Sequence, residues 1–314
     1  MKQFVSRIAI FITITTGILG FSLFNIHSYK ARESILGAVP DKHKMLSGAQ
    51  SPKIIFVGGS NLAFGLDSRT IQRSLKMPVI NAGVHASIGL KYQIRDIERF
   101  VNKSDIVIIS PEYSQFYTDS FYGKAELLSV LFDIFPDGRK LVSLAHWYRL
   151  FPQIPQYAAS KLKFESSSVS QGKIGVYHRA AFNENGDAFI HWDLPAKKVE
   201  VTKPETGEEE INNECIALLK DFDKLVKSKS ASLFIIPPAY QSSSFKNQKN
   251  LIQKIHHGLL NNGISLLAPP KDYNFHDSLF FDTNYHLTKT GVDLRTKMVI
   301  GDLKAALPQL VSRR

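Results

Sequence analysis

Three short apolar runs early in the chain constrain its fold most. Ile54 to Val57, Pro78-Val-Ile-Asn-Ala-Gly83 and Asp105-Ile-Val-Ile-Ile-Ser110 are short and rich in β-branched residues, while Leu90, Ile94, Ile97 and Val101 recur between them at helical spacing. Strand, helix, strand, helix, strand in this order predicts a parallel sheet covered on both faces. A run without polar residues, such as Ile54 to Val57, suits a strand buried on both sides. The alternation returns later in the chain. Ile211, Cys215, Leu218, Leu219, Phe222, Leu225 and Val226 form a helical stripe, followed by a strand at Ser232 to Ile236 closed by Pro237 and Pro238. Ile252, Ile255 and Leu259 mark another helix, Ile264 to Leu267 a fifth strand, and Val292, Thr296, Val299, Ile300 and Leu303 the last helix.

The stretch from about 118 to 207 interrupts this pattern and reads as an insertion that walls a cleft. It carries helical segments at Ala125 to Phe135 and Lys140 to Leu150, a Ser-rich loop at 165–172 and a β-hairpin with Asn183-Glu-Asn-Gly-Asp187 at its tip. At the other end, Ile8 to Ile26 is an uncharged run long enough to span a bilayer. Phe21 to His27 offers no small-x-small cleavage site, which favours an uncleaved anchor over a signal peptide. Residues 1–27 therefore read as a tip and transmembrane anchor. Residues 28–52, with Pro40, Gly48 and Pro52, read as a stalk or linker with one short helix around Ala31 to Leu36, and 53–314 as the folded domain. Lys30, Arg32, Lys42 and Lys44 compete with Lys2 and Arg7 under the positive-inside rule, so charge leaves the orientation open.

The chain has 39 Lys and Arg against 28 Asp and Glu, a net charge of +11, but the basic residues are scattered. With no zinc-finger spacing, RNP-like motif or basic heptads, nucleic acid ranks low as a partner. Acidic polysaccharide or anionic lipid remains compatible with the charge. The single Cys215 excludes an internal disulfide framework and any Cys-rich metal site. His256-His257 has no partner carboxylates, so no metal is expected.

Chemistry concentrates where strands end. In Lys53-Ile-Ile-Phe-Val-Gly-Gly-Ser-Asn-Leu-Ala-Phe-Gly65 the first apolar run stops at two glycines, which let the backbone turn sharply. Ser60 then falls at a strand-to-helix junction, beside unpaired N–H groups and the positive end of a helix. Two readings stand there: a helix cap or a nucleophile. Ligands of open parallel sheets bind outside the carboxyl ends of the strands. Ser60, the Asn81 to Ser87 segment and Pro111-Glu-Tyr-Ser-Gln115 all fall at such ends. A fourth block, Phe280-Phe-Asp-Thr-Asn-Tyr-His286, precedes the last helix, where Thr288 can cap. Glu112 reads as a wall residue and His85 as a packed loop histidine. Arg295 fits a carboxylate partner as well as a substrate contact.

An early Gly-x-Ser after the first strand, an Asn and Gly block after the second, a polar block after the third, and an Asp shortly before a late His together resemble the SGNH, or GDSL-type, hydrolase superfamily. The resemblance covers nearly everything from Lys53 onward apart from the insertion. With the anchor, the chain looks most like membrane-tethered members that add or remove acyl groups on cell-envelope and exported polysaccharides. The run Ile109-Ser-Pro-Glu-Tyr113 is similar to one in a protein serving D-alanylation of teichoic acids. The resemblance implies a flavodoxin-like three-layer sandwich, with Ser60 as nucleophile, His286 as general base and Asp282 orienting the imidazole, a division of labour in which a base activates an otherwise weak hydroxyl. It also implies an oxyanion site from the N–H of Ser60, after Gly59, and one near Gly83 to Ala86. The family's usual Gly-Asp-Ser-Leu is here Gly58-Gly59-Ser60-Asn61. Asp282 lies four residues before the histidine instead of three, so either a bulge or Asp277 must serve. The family's third-block asparagine has no equivalent, leaving Asn61, Tyr113 or Gln115 to substitute.

The resemblance thus implies a serine esterase or O-acyltransferase on the periplasmic or extracellular side of the cytoplasmic membrane. It would need no cofactor, would take a glycan or acyl-ester substrate, and could work with a membrane-bound acyltransferase partner. The alternative is a catalytically silent SGNH-like protein that binds glycan or scaffolds a modification complex.

Overall fold

The computed structural model describes residues 1–163 and 174–311, so the Ser-rich loop at 165–172 lies outside the described residues. The chain begins with helix α1 (Lys2–Asn25), whose Phe4, Ile8, Phe11, Ile14, Ile18 and Phe21 are exposed. This helix is long and apolar enough to cross a membrane.

Residues 28–52 do not form the expected linker. Helix α2 (Tyr29–Glu33), a 3-10 turn (Ile35–Ala38) and helix α3 (Val39–Gly48) follow one another directly. Ile35, Leu36 and Val39 join Leu23 of α1 in a core with Phe64, Leu127 and Phe132. The buried Lys42 donates to the carbonyls of Asn81 (2.8 Å) and Gly186 (2.6 Å), and Asp41 receives both arms of Arg179 at 2.6 and 2.7 Å. Segments that bury apolar side chains and ions in this way are part of the body.

Four parallel strands form the sheet: β1 (Ile54–Gly58), β2 (Val79–Asn81), β3 (Ile106–Ser110) and β4 (Ser232–Ile235), in spatial order β2-β1-β3-β4. Helices α4 (Ser60–Ala63) and α5 (Ser68–Leu75) connect β1 to β2, and α6 (Leu90–Ile97) connects β2 to β3. The side chains alternate across the sheet as strand geometry requires. Ile55, Val57, Val107 and Ile109 face α6 and later helices, whereas Ile54, Phe56, Ile106 and Ile108 face the opposite layer.

The insertion contributes α7 (Ala125–Ser129), a π turn (Val130–Ile134), a 3-10 turn (Pro136–Leu141), α8 (Leu144–Leu150) and α9 (Ile154–Lys161). The expected hairpin is reduced to one antiparallel bridge, Phe182 with Ala188. Its tip is spent on the sheet edge: Asn81 N–H donates to Asn185 O (2.8 Å), and Asn185 Nδ2 donates to Val79 O (2.9 Å). The insertion thereby covers the open edge of β2.

Helix α10 (Asn213–Ser228) leads into β4. A short parallel pair, β5 (Tyr240–Gln241) with β6 (Asn274–Phe275), was not expected from the sequence. Between them lie α11 (Ser242–Asn247) and α12 (Lys249–Asn261). The fifth strand shrinks to a bridge from Ile235 to Leu266. Gly263 before it and Pro269 and Pro270 after it leave little ladder to form. Helix α13 (Lys289–Val311) closes the chain, with Val299 and Leu303 in the core on the Ile54 face.

Candidate functional site

The strand order reverses between β2 and β3 on either side of β1, which opens a crevice beyond the carboxyl ends of β1 and β3. Ser60 follows the first of these strands and Glu112 the second. Ser60 Oγ donates to Glu112 Oε1 at 3.4 Å, and the N–H of Asn61 reaches the same oxygen at 3.3 Å. Among the described residues, the serine hydroxyl is thus bonded to Glu112 and not to His286. Both side chains are nearly buried, and burial pushes the Glu112 carboxyl above its ordinary range, while the charge of His286 and hydrogen bonds from Asn61 and Ser60 pull it back.

The turn carrying Ser60 rests on buried polar bonds. Arg295, fully buried on α13, donates to Asn61 O at 2.6 Å, to Asn61 Oδ1 at 3.2 Å and to Ser110 Oγ at 3.0 Å. Asn61 Nδ2 donates to Ser110 O at 3.0 Å. The Asn61 amide is therefore committed beneath the site and is no oxyanion donor. Among the described residues Arg295 forms no direct ion pair; it joins the last helix to the Ser60 turn, and burial lowers its pKa to about 10 against the pull of Tyr273 and Glu112.

Gly59 packs so closely on the next loop that a Cβ would lie 2.8 Å from Ala86 Cβ and 2.9 Å from Ala86 N. Only glycine lets the Ser60 turn and the Ala86 turn approach this far. Ser60 and Ala86 each begin a helical turn, where an N–H has no partner within the turn. Gly83 is a different case, because its N–H donates to Asn81 Oδ1 at 3.0 Å. It serves close packing on Leu62 and Gly59, not an oxyanion. Tyr113 is also displaced from the expected site: its ring packs edge-on to Tyr240 at 5.2 Å, and its N–H donates to Tyr285 Oη. Gln115 ties the two loops together, accepting from Glu112 N at 3.0 Å and donating to Ala86 O at 3.2 Å.

His286 and Asp282 come together in a tight loop. Phe280 and Leu287 form an antiparallel bridge, Phe281 N–H donates to His286 O (2.8 Å), and Thr283 Oγ1 accepts from His286 N–H (3.1 Å). This closure absorbs the four-residue spacing and sets Asp282 Oδ1 2.9 Å from His286 Nδ1. Asp277, the rival acid, instead accepts from the N–H and hydroxyl of Ser243. Burial pushes the Asp282 carboxyl up, but hydrogen bonds from His286 and Tyr177 outweigh that and hold it below the usual range.

The histidine loop docks one helical turn from Ser60. Phe64, whose N–H bonds Ser60 O, stacks on the His286 ring at 4.3 Å and 14°, and Leu287 N–H donates to Phe64 O. Two further residues come from the insertion and were not found in the sequence. Tyr177 Oη donates to Asp282 Oδ2 at 2.7 Å and lies 3.2 Å from His286 Nδ1. His191 packs against Phe64 at 4.9 Å, and burial followed by repulsion from His286 lowers its pKa to about 4. It therefore stays neutral near pH 7.

His85 caps its own short turn, accepting from Ser87 N–H at 3.2 Å. Among the described residues there is no group of three or more His, Cys, Asp or Glu side chains arranged to hold a metal ion. No protein-family model matches the chain, and no curated protein matches it.

Proposed function

We propose that this protein is a membrane-anchored serine esterase or O-acyltransferase of the SGNH type, acting on acyl esters of an envelope or exported polysaccharide. The observation that carries the reading is the Asp282–His286 pair, whose imidazole stacks on Phe64 one turn after Ser60. The strand order β2-β1-β3-β4, continued by Leu266, supports a flavodoxin-like sandwich, whose ligands lie at this same switch point.

In this mechanism Asp282 accepts from Nδ1–H and leaves Nε2 as the base. The Ser60 hydroxyl leaves Glu112, gives its proton to His286, and its oxygen attacks the ester carbonyl. The N–H groups of Ser60 and Ala86 receive the negative charge on the carbonyl oxygen. His286 returns the proton to the departing alcohol, and water or a sugar hydroxyl resolves the acyl-enzyme. The end of α1 is built into the body through Leu23 and Ser22, which supports an uncleaved anchor. This reading places the globular part at the periplasm or cell exterior, where such a polysaccharide lies.

The test uses the full chain in detergent or lipid nanodiscs. It should hydrolyse a small acetyl ester and take up a fluorophosphonate probe at Ser60, and Ser60→Ala should lower hydrolysis by about 10³-fold or more. Equal rates for the two proteins would remove Ser60 from the mechanism. A second reading is favoured by the Ser60–Glu112 contact: a hydroxyl held by a carboxylate suits a silent glycan-binding or scaffold protein. Absence of probe labelling on folded protein would favour it.

A further inference from the structure

The body meets its anchor without a tether. Leu23 of α1 belongs to the core, Ser22 Oγ donates to Ala158 O at 2.7 Å, and Lys161 Nζ donates to Leu23 O at 2.9 Å while pairing with Asp133. From the last turn of α1, Phe24 stands edge-on to Phe132 at 5.5 Å, and Phe132 faces Trp147 of α8 at 6.3 Å. Helix α8 is thus two ring contacts away from the point where the apolar helix leaves the body.

At that level the surface is unusually apolar. Leu144, Tyr148 and Phe151 are 87%, 81% and 71% exposed, and Leu162 at the end of α9 is exposed as well. Beside them an open cavity of about 930 Å³ is lined by Trp147, Tyr148 and Phe151 together with Asp119, Lys124 and Arg149. A contiguous apolar face of this kind marks an interaction surface. The exposed Arg139 lies over Phe24 (5.9 Å) and Phe132 (5.7 Å), with Lys140 exposed in the same turn and Lys163 exposed just past the end of α9. Tryptophan and tyrosine with lysine and arginine close by is the composition that collects at the border of a bilayer.

We propose that α8 and the turn following it form a membrane-contact face: Leu144, Tyr148 and Phe151 enter the interfacial layer of the bilayer that α1 crosses, and lipid fills the adjoining cavity. The occupant is lipid because the face continues from the anchor itself, and Leu23 fixes its height at the end of the apolar run. This inference rests on α1 spanning the membrane, and on nothing about Ser60.

The chain has two tryptophans, Trp147 and Trp192, which makes the test direct. Full-length Trp192→Phe protein, reconstituted in nanodiscs, reports Trp147 alone. Lipids brominated near the carbonyl end of their chains should reduce its emission at least about twofold relative to plain lipids. Adding Leu144→Ser, Tyr148→Ser and Phe151→Ser should restore most of it. Extraction with alkaline carbonate separates the two premises. A chain that washes out of the membrane overturns the anchor and this face together. A chain that stays embedded with Trp147 unquenched overturns the face alone and leaves a protein partner as its cover.

Discussion

The two halves of the site are held by different means. Beneath Ser60, Asn61, Ser110 and Arg295 exchange hydrogen bonds inside the core, so the serine turn is braced by strand ends and the last helix at once. His286 instead sits in a loop steadied by a ring stack, by local backbone hydrogen bonds such as those from Phe281 to His286 and from Leu287 to Phe64, and by Tyr177, which is partly exposed. The serine half is therefore inseparable from stability. The histidine half can be altered with the fold intact, so the two halves should answer mutation in opposite ways.

The largest effect tests the histidine half. Asp282→Asn should cut ester hydrolysis by about 10³-fold, because the amide no longer favours the tautomer or the imidazolium, while denaturant unfolding shifts by less than about 1 kcal/mol. A large loss of stability would break the contrast. Next comes the serine half: Arg295→Met should cost about 2 kcal/mol in urea or guanidinium unfolding, since it strands the Asn61 backbone carbonyl in the core. A variant as stable as the parent would show that the brace is dispensable.

The smallest effect sharpens the boundary at Glu112. Because burial raises its pKa, the folded protein binds this proton more tightly than the unfolded chain does. That stability is fully present below the ordinary glutamate range and is lost as pH rises through the raised value. Glu112→Gln should flatten this slope in unfolding midpoints measured across that window. An unchanged slope would mean that the carboxyl is ionised throughout.

The same contrast explains how much could be read beforehand. The strands, the Ser60 junction and the Asp282–His286 segment rest on local patterns, and each has its counterpart in the structure. Arg295, Glu112, Tyr177 and His191 act across long sequence distances, and a single sequence gives periodicity without partners. The segment 28–52 departs from the linker its composition suggests for a more particular reason. Val39, Lys42 and Leu46 are the buried positions of α3, at helical spacing, but a lysine in the middle disguised the stripe. Burial lowers that lysine to about pKa 7 despite the pull of Asp187 and Asp41. The spacing of Leu36, Val39, His43 and Leu46 was the signal available.

One consequence of the joint between Leu23, Ser22 and Lys161 concerns separation of the body from α1. Proteolytic shedding, or a laboratory truncation at residue 27, would remove a core side chain and take from Lys161 the carbonyl that helps hold its charge. The liberated fragment would begin life with a wound in its base. A durable soluble form is better sought by recolouring the outward face of α1 with polar residues and keeping its last two turns.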